Sequence, residues 1–291
     1  MTAAVLKRFG DAVDAVIFYG SCLRKGDLLE GVADLYVIVS SYRRAYPGRG
    51  TAALAAFLPP TVGYLELDSS RGILRAKYAV VSKRDFRRGT CGQWFHPYLW
   101  GRFSQPCLLS HVRGEAEETA VAECLAGACR TLMRRTLATA EMPAHAAGIW
   151  TNALGLSYGT ELRPESRDRA RDLVEADLAY YQAVTAALAP ELGLAVAGNP
   201  SAGVTYTARV PGWRARSARI AWAVRRFSGK LLSPLRWMKA LATFEGGLDY
   251  AAWKLERHSG KRIEVPERVR RRPWLHIWGE LWRLYRSGVL R

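Results

Sequence analysis

The chain has no run of about 20 apolar residues, so no transmembrane helix is expected. Its five cysteines (Cys22, Cys91, Cys107, Cys124 and Cys129) form no Cys-x-x-Cys pair and are odd in number, which argues against a disulfide framework and a structural zinc site; reduced cytosolic thiols are expected. Met1 to Arg8 contains no apolar signal core, so no signal or transit peptide is expected. Neither an internal repeat nor a long low-complexity run occurs. Acidic residues are scarce, 26 against 43 Lys and Arg, and the net charge of +17 implies an anionic partner, either nucleic acid or an anionic membrane surface. Apolar residues at 49% and aromatics at 11% suffice for a packed core, and 291 residues suit one large domain or, better, two.

Residues 14–20 (Asp-Ala-Val-Ile-Phe-Tyr-Gly) and 34–40 read as buried strands, residues 63–68 alternate apolar and polar as a third strand does, and residues 73–82 suit a fourth. Pro59-Pro60 and Ser69 to Gly72 punctuate them. Strands alternating with helical connections predict a small α/β sheet over 1–112. The texture then turns to Ala, Leu, Glu and Arg, predicting a mostly helical region over 113–211, with one long helix from Glu115 to Ala140 and another between Arg163 and Ala189, then a Gly/Pro-punctuated link from Pro200 to Pro211. Residues 212–291 form a basic tail with Trp213, Trp222, Trp237, Trp253, Trp274, Trp278 and Trp282. Its end, 273–287, places Trp274, Ile277, Trp278, Leu281, Trp282 and Tyr285 on one helical face beside dense Arg. A basic helix with a Trp face suits a membrane interface; core packing would produce the same stripe, and no nucleic-acid reading module is visible.

The stretch Phe18-Tyr-Gly-Ser-Cys22, followed after eleven further residues by Asp34-Leu-Tyr-Val-Ile-Val39, reads as strand, tight turn, short helix and a strand opened by a carboxylate. Gly20 and Ser21 can offer backbone N–H groups and a small hydroxyl to a triphosphate. Asp34 can hold Mg²⁺ on that triphosphate. This is the layout of a nucleotidyltransferase, which moves a nucleoside monophosphate from an NTP. The usual pattern has a second Asp two residues on, where Tyr36 stands here. Glu66 and Asp68, two apart on one face of the neighbouring strand, are candidates to supply the missing carboxylate as metal ligands.

Asp34-Leu-Tyr-Val-Ile-Val with the upstream Tyr19-Gly-Ser21 resembles the mitochondrial-type CDP-diacylglycerol synthases, the soluble phosphatidate cytidylyltransferases, which also carry a single Asp at this place. Lys77-Tyr-Ala-Val-Val-Ser82 is similar to their Lys-Tyr-Gly-Val-Ile-Ser segment. Trp94 to Pro106 is similar to their Trp-x-x-Leu-Tyr-x-Ala-Gly-Arg-x-x-Lys-Pro stretch, and Leu156 to Arg163 to their Leu-Ser-Tyr-x-Gly-Asp-x-Arg. Gln105 replaces the family's Lys, and Thr160-Glu161 its Gly-Asp. The resemblance spans roughly 17 to 163 and implies a divergent, bacterial member. It implies a polymerase-beta-like nucleotidyltransferase domain, then a helical, winged-helix-like domain, with CTP and the headgroup of phosphatidic acid meeting between them. Gly20 and Ser21 would face the triphosphate, Asp34 the Mg²⁺, Lys77 a phosphate, and Arg102, Tyr158 and Arg163 the nucleotide or lipid headgroup. The expected protein is cytoplasmic and peripheral on the inner face of the membrane. No nucleic-acid partner is expected. The competing expectations are a nucleotidyltransferase with a small-molecule or RNA acceptor, and a non-catalytic basic membrane-binding protein.

Overall fold

The computed structural model describes residues 1–29, 31–161, 167–198, 203–243, 246–259, 263–271, 276, 279–280, 282–283 and 286. Helix α1 (Thr2–Phe9) leads into β1 (Val13–Tyr19), whose apolar run is long enough to be buried on both faces, as a central strand requires. The short α2 (Ser21–Lys25) returns the chain to β2 (Ala33–Val39). Two helices, α3 (Tyr42–Ala45) and α4 (Arg49–Phe57), carry it across to β3 (Thr61–Ser69), which forms a hairpin with β4 (Gly72–Ser82). Helix α5 (Lys83–Thr90) and an irregular segment, 91–107, precede β5 (Leu108–Val112). The sheet order is β3-β4-β2-β1-β5; β2 and β4 are parallel, and the other neighbours antiparallel.

Alternation along the strands gives the sheet two faces. On one, Val16, Leu35, Val37, Tyr78 and Val80 pack with Val5 and Phe9 of α1. On the other, Ala15, Ile17, Tyr36, Ile38, Ala79 and Val81 join Phe86 of α5, Trp100 and Phe103 of the irregular segment, and Val121, Ala128 and Leu132 of α6 (Glu115–Thr136). That second core continues into α7 (Ala146–Tyr158), α8 (Arg167–Ala176) and α9 (Leu178–Leu188) through Trp150, Leu173 and Tyr181. It therefore runs unbroken through the expected boundary at 112/113. A small second sheet, ordered β6-β8-β7, is made of β6 (Ala144–His145), β7 (Ala195–Ala197) and β8 (Thr205–Thr207).

Several expectations change. The long helix ends at Thr136 and tightens into a 3-10 turn, Leu137–Thr139, short of Ala140. The stretch up to Ala189 holds two helices separated at Asp177, with α7 ahead of them unforeseen. The 200–211 link contributes a strand, β8. The tail is partly core. Its helix α10 (Gly212–Thr243) buries Trp222, 1% exposed, edge-on to Trp100 at 5.8 Å; the Trp222 indole donates to the Arg135 carbonyl at 2.9 Å. Beyond it lie α11 (Gly247–Ser259) and α12 (Glu267–Arg271). Of the amphipathic segment expected over 273–287, nine of the fifteen residues lie outside the described ones, among them every member of the apolar stripe except Trp282, which is exposed. Among the described residues, no helix is long and apolar enough to cross a membrane.

Candidate active site

The site starts from a row of residues in register across the sheet. Tyr19 of β1 pairs with Asp34 of β2, Asp34 with Lys77 of β4, and Lys77 with Tyr64 of β3. Paired residues point to one face, so the carboxylate and the ammonium lie side by side on neighbouring strands. Gly20 follows Tyr19 with φ 89° and ψ −164°, a conformation open almost only to glycine. A Cβ at this position would stand 2.7 Å from Asp34 Oδ2. The turn backbone therefore touches the carboxylate, and glycine is required for two independent reasons. Ser21 opens α2, and the Cys22 thiol donates to the Val32 carbonyl at 3.3 Å, tying that helix to the entrance of β2.

The facing wall comes from the irregular segment and from α7. Phe103 packs on Tyr36 at 4.8 Å and on Phe86 at 5.0 Å, fixing the segment to the sheet. Gly101 sits so close to α7 that a Cβ there would lie 2.0 Å from Ser157 Oγ. Arg102, between them, is thereby held over the row: it donates to the Tyr19 hydroxyl and to Glu161 Oε1, each at 3.4 Å, and its guanidinium lies 4.8 Å from the centre of the Tyr98 ring. Tyr158 donates to Gln105 Oε1 at 3.1 Å. Gly20, Ser21, Asp34, Lys77, Arg102 and Tyr158, expected from separate parts of the sequence, thus line one cleft of about 250 Å³.

Electrostatics follow from burial and cations. Burial pushes the Asp34 carboxyl above its ordinary value, and Lys77, Arg102 and Arg24 pull it back only in part. Burial would raise the Tyr98 phenol, but Arg102, Arg236 and Lys77 outweigh burial and lower it. No hydrogen bond or ion pair within 4 Å engages the Asp34 carboxylate among the described residues. A carboxylate facing the cleft unpaired suits Mg²⁺, which commonly takes one or two protein carboxylates with phosphate and water oxygens completing its shell, and the bordering cations suit those phosphates. No cluster of three His, Cys, Asp or Glu side chains able to hold a metal by themselves occurs among the described residues.

Glu66 and Asp68 are not brought to Asp34. Both lie on the edge strand β3, with β4 between them and β2. Glu66 accepts from the Tyr64 hydroxyl at 2.7 Å and pairs with Arg75 at 3.1 Å, and Asp68 is exposed. Tyr36, where a second Asp would stand, is fully buried against Tyr19 and Phe103 and has become a core residue. Arg163 lies outside the described residues. His96 borders Phe95, is not among the cleft residues, and is kept below its ordinary value by burial, Arg236 and Arg225. The sequence reading missed Arg24, Tyr98, Glu161 and Arg169, which complete the cleft. Arg24 was findable, one helical turn after Ser21; Tyr98 lies in a block already singled out. Glu161, three residues after Tyr158, lies in another such block; nothing local marks Arg169.

No protein-family model matches the chain, and no curated protein matches it. Among solved structures, the chain is similar to a nucleotidyltransferase-like protein from Exiguobacterium sibiricum 255-15, at 12% identity and a TM-score of 0.30, over 72% of this chain and 98% of that one. A likeness this distant fixes neither family nor substrate.

Proposed function

We propose that this protein is a nucleotidyltransferase acting as a phosphatidate cytidylyltransferase: CMP passes from CTP to phosphatidic acid, giving CDP-diacylglycerol and pyrophosphate. The observation that carries this reading is the convergence of Gly20, Ser21, Asp34, Lys77, Arg102 and Tyr158 on one cleft. An oxygen of the acceptor phosphomonoester attacks the α-phosphorus of CTP, and the bond to the pyrophosphate oxygen breaks. A phosphomonoester has a second pKa of about 6, so the attacker is already largely ionised at neutral pH and needs no general base. The remaining task is to hold two polyanions in contact. Arg24, Lys77, Arg102 and Arg169 supply four cations around the cleft, and the Gly20-Ser21 turn supplies backbone donors. Asp34 would hold Mg²⁺, which when bound would neutralise charge on the phosphates.

Further features support the lipid assignment. Helix α10 leaves Ile220, Val224, Phe227, Leu231 and Leu235 exposed at spacings of three and four, one apolar stripe, with Arg216, Arg219 and Lys230 beside it. Such a face suits docking on an anionic membrane surface from the cytoplasmic side. Helices α6 to α9 with the small β6-β8-β7 sheet support a winged-helix-like second unit, and the proposed division into 1–112, 113–211 and 212–291 is one of units that share a core.

The test is pyrophosphate release from CTP and Mg²⁺ with and without phosphatidate vesicles, wild type beside Asp34→Ala. Lipid-dependent release lost in the variant is the expected result. Release without lipid would reassign the acceptor, to a small molecule or RNA. No release with any NTP would overturn the enzyme reading in favour of a basic membrane-binding protein.

A further inference from the structure

The parallel strands β2 and β4 end together, at the opposite end of the sheet from the candidate active site. From Asp34 to Ser40 the chain runs about 20 Å at strand spacing. Beyond those ends lies a second concavity, of about 570 Å³, that the transfer reading leaves unused. Four guanidiniums border it, from three helices: Arg43 from α3, Arg49 from α4, and Arg84 and Arg88 from α5. Among the described residues, Arg43, Arg49 and Arg84 have no carboxylate within 4 Å, and Arg88 reaches Asp85 only at 3.8 Å.

Asp85 is already occupied. It accepts from the Tyr42 hydroxyl and from the Ser82 hydroxyl, each at 3.0 Å, and so braces α3 against α5. Its charge offsets one of the four, so the lining keeps an excess of three positive charges. The Ser40 hydroxyl borders the same concavity; its oxygen is buried and finds no partner among the described residues. Helix α5 starts here, with Ser82 as its N-cap accepting from the Asp85 amide, so the positive end of its dipole lies at the edge of the concavity. Four like charges gathered around one hollow repel one another. A phosphate group relieves that repulsion, and it matches the planar donors of arginine.

We propose that this groove binds a phosphorylated anion, a phosphomonoester or diphosphate group, at a site separate from the candidate active cleft. The group can belong to a free phosphate compound or to a lipid headgroup. Neither the groove nor its ligand chemistry depends on the transfer reading.

The test uses the full chain without Mg²⁺. Titration calorimetry measures inorganic pyrophosphate binding, and sedimentation measures binding to phosphatidylcholine vesicles with and without phosphatidate. Wild type is compared with Arg43→Gln/Arg84→Gln, with Arg49→Gln/Arg88→Gln as an independent pair, and with the cleft variant Arg102→Gln. Circular dichroism checks that each folds. Removing two charge-assisted contacts should weaken groove binding on the order of 10- to 100-fold, while Arg102→Gln leaves that component in place. Loss of pyrophosphate binding alone assigns the groove to a free phosphate; loss of phosphatidate-dependent sedimentation as well assigns it to a headgroup. The proposal is overturned if both folded double variants bind pyrophosphate and phosphatidate vesicles as wild type does, or if Arg102→Gln alone removes all binding.

Discussion

Replacing Gly20 by Ala introduces a single carbon whose surroundings are known. It would have to adopt φ 89°, ψ −164°, at a strain of about 1–3 kcal/mol. It would also meet Asp34 Oδ2 at 2.7 Å, closer than real Cβ contacts come. Gly26 is the internal control. It ends the same short helix at φ 68°, ψ 7°, with nothing within 4 Å of a built Cβ, so Gly26→Ala carries left-handed strain alone, about 1–2 kcal/mol. Gly20→Ala should exceed it by about 1 kcal/mol or more, and a chain of this size loses roughly 2–4 °C in Tm for each kcal/mol. The part of the excess that comes from the contact should vanish when Asp34 is also Ala, because the carboxylate oxygen is then gone, leaving only the difference in backbone strain. A double-mutant cycle of Gly20→Ala with Asp34→Ala, followed by thermal and urea unfolding, reads that coupling directly. The carboxylate can escape the new methyl only by rotating away from the turn, so Gly20→Ala should also lose most pyrophosphate release. A coupling below about 0.5 kcal/mol, together with turnover like that of Gly26→Ala, would refute the claimed contact between turn and carboxylate.

Asp34→Asn should abolish turnover yet raise Tm at neutral pH. The folded pKa of Asp34 lies above the unfolded one, so its favourable contribution is present at low pH and lost as pH rises through the folded value; the Tm difference should close on acidification. Lys239 is buried, its Nζ donates to the Leu58 carbonyl at 2.7 Å, and burial lowers its pKa from 10.5 to about 8. The unfolded chain therefore binds more protons between pH 8 and 10.5, stability should rise with pH across that window, and Lys239→Met should flatten the rise in urea midpoints. Trp222→Ala should cost about 3–5 kcal/mol in urea unfolding; a loss under 1 kcal/mol would show that α10 is not part of the core.

Four strands of the main sheet were legible because buried strands are apolar runs broken by turn residues, as in Val13 to Tyr19 and Ala33 to Val39. The fifth, Leu108–Val112, was not, because an edge strand carrying Ser110 and His111 shows no such contrast. The cleft was legible where it is local: the Gly20-Ser21 turn, Asp34, and Lys77, its partner in register. Arg169 enters through the packing of α8, a helix beyond the matched blocks, which no local pattern encodes. Glu66 and Asp68 were misjudged because sharing a sheet face does not bring residues together across an intervening strand. The part of the tail that packs into the core was hidden for a different reason. Residue type does not reveal which side of a helix meets the core: Trp222 is buried while Trp213 is 67% exposed. Arg225 is buried too, its charge accommodated by the Phe95 carbonyl at 2.9 Å and the faces of Phe95 and Trp222.

The row Tyr19, Asp34, Lys77 and Tyr64 crosses four adjacent strands. The spacing of the backbone anchors of its carboxylate and ammonium is thus dictated by the interstrand distance, about 4.8 Å, and no loop can retune it. Arg102 and Tyr158, by contrast, stand on a loop and a helix laid against that row. On the proposed function, inherited change can therefore rebuild the wall, and with it the choice of acceptor, while the strand floor proposed to meet the phosphates stays rigid. A shift of acceptor in a descendant of this protein would be written between Trp94 and Pro106 and along α7, and hardly at all in the strands.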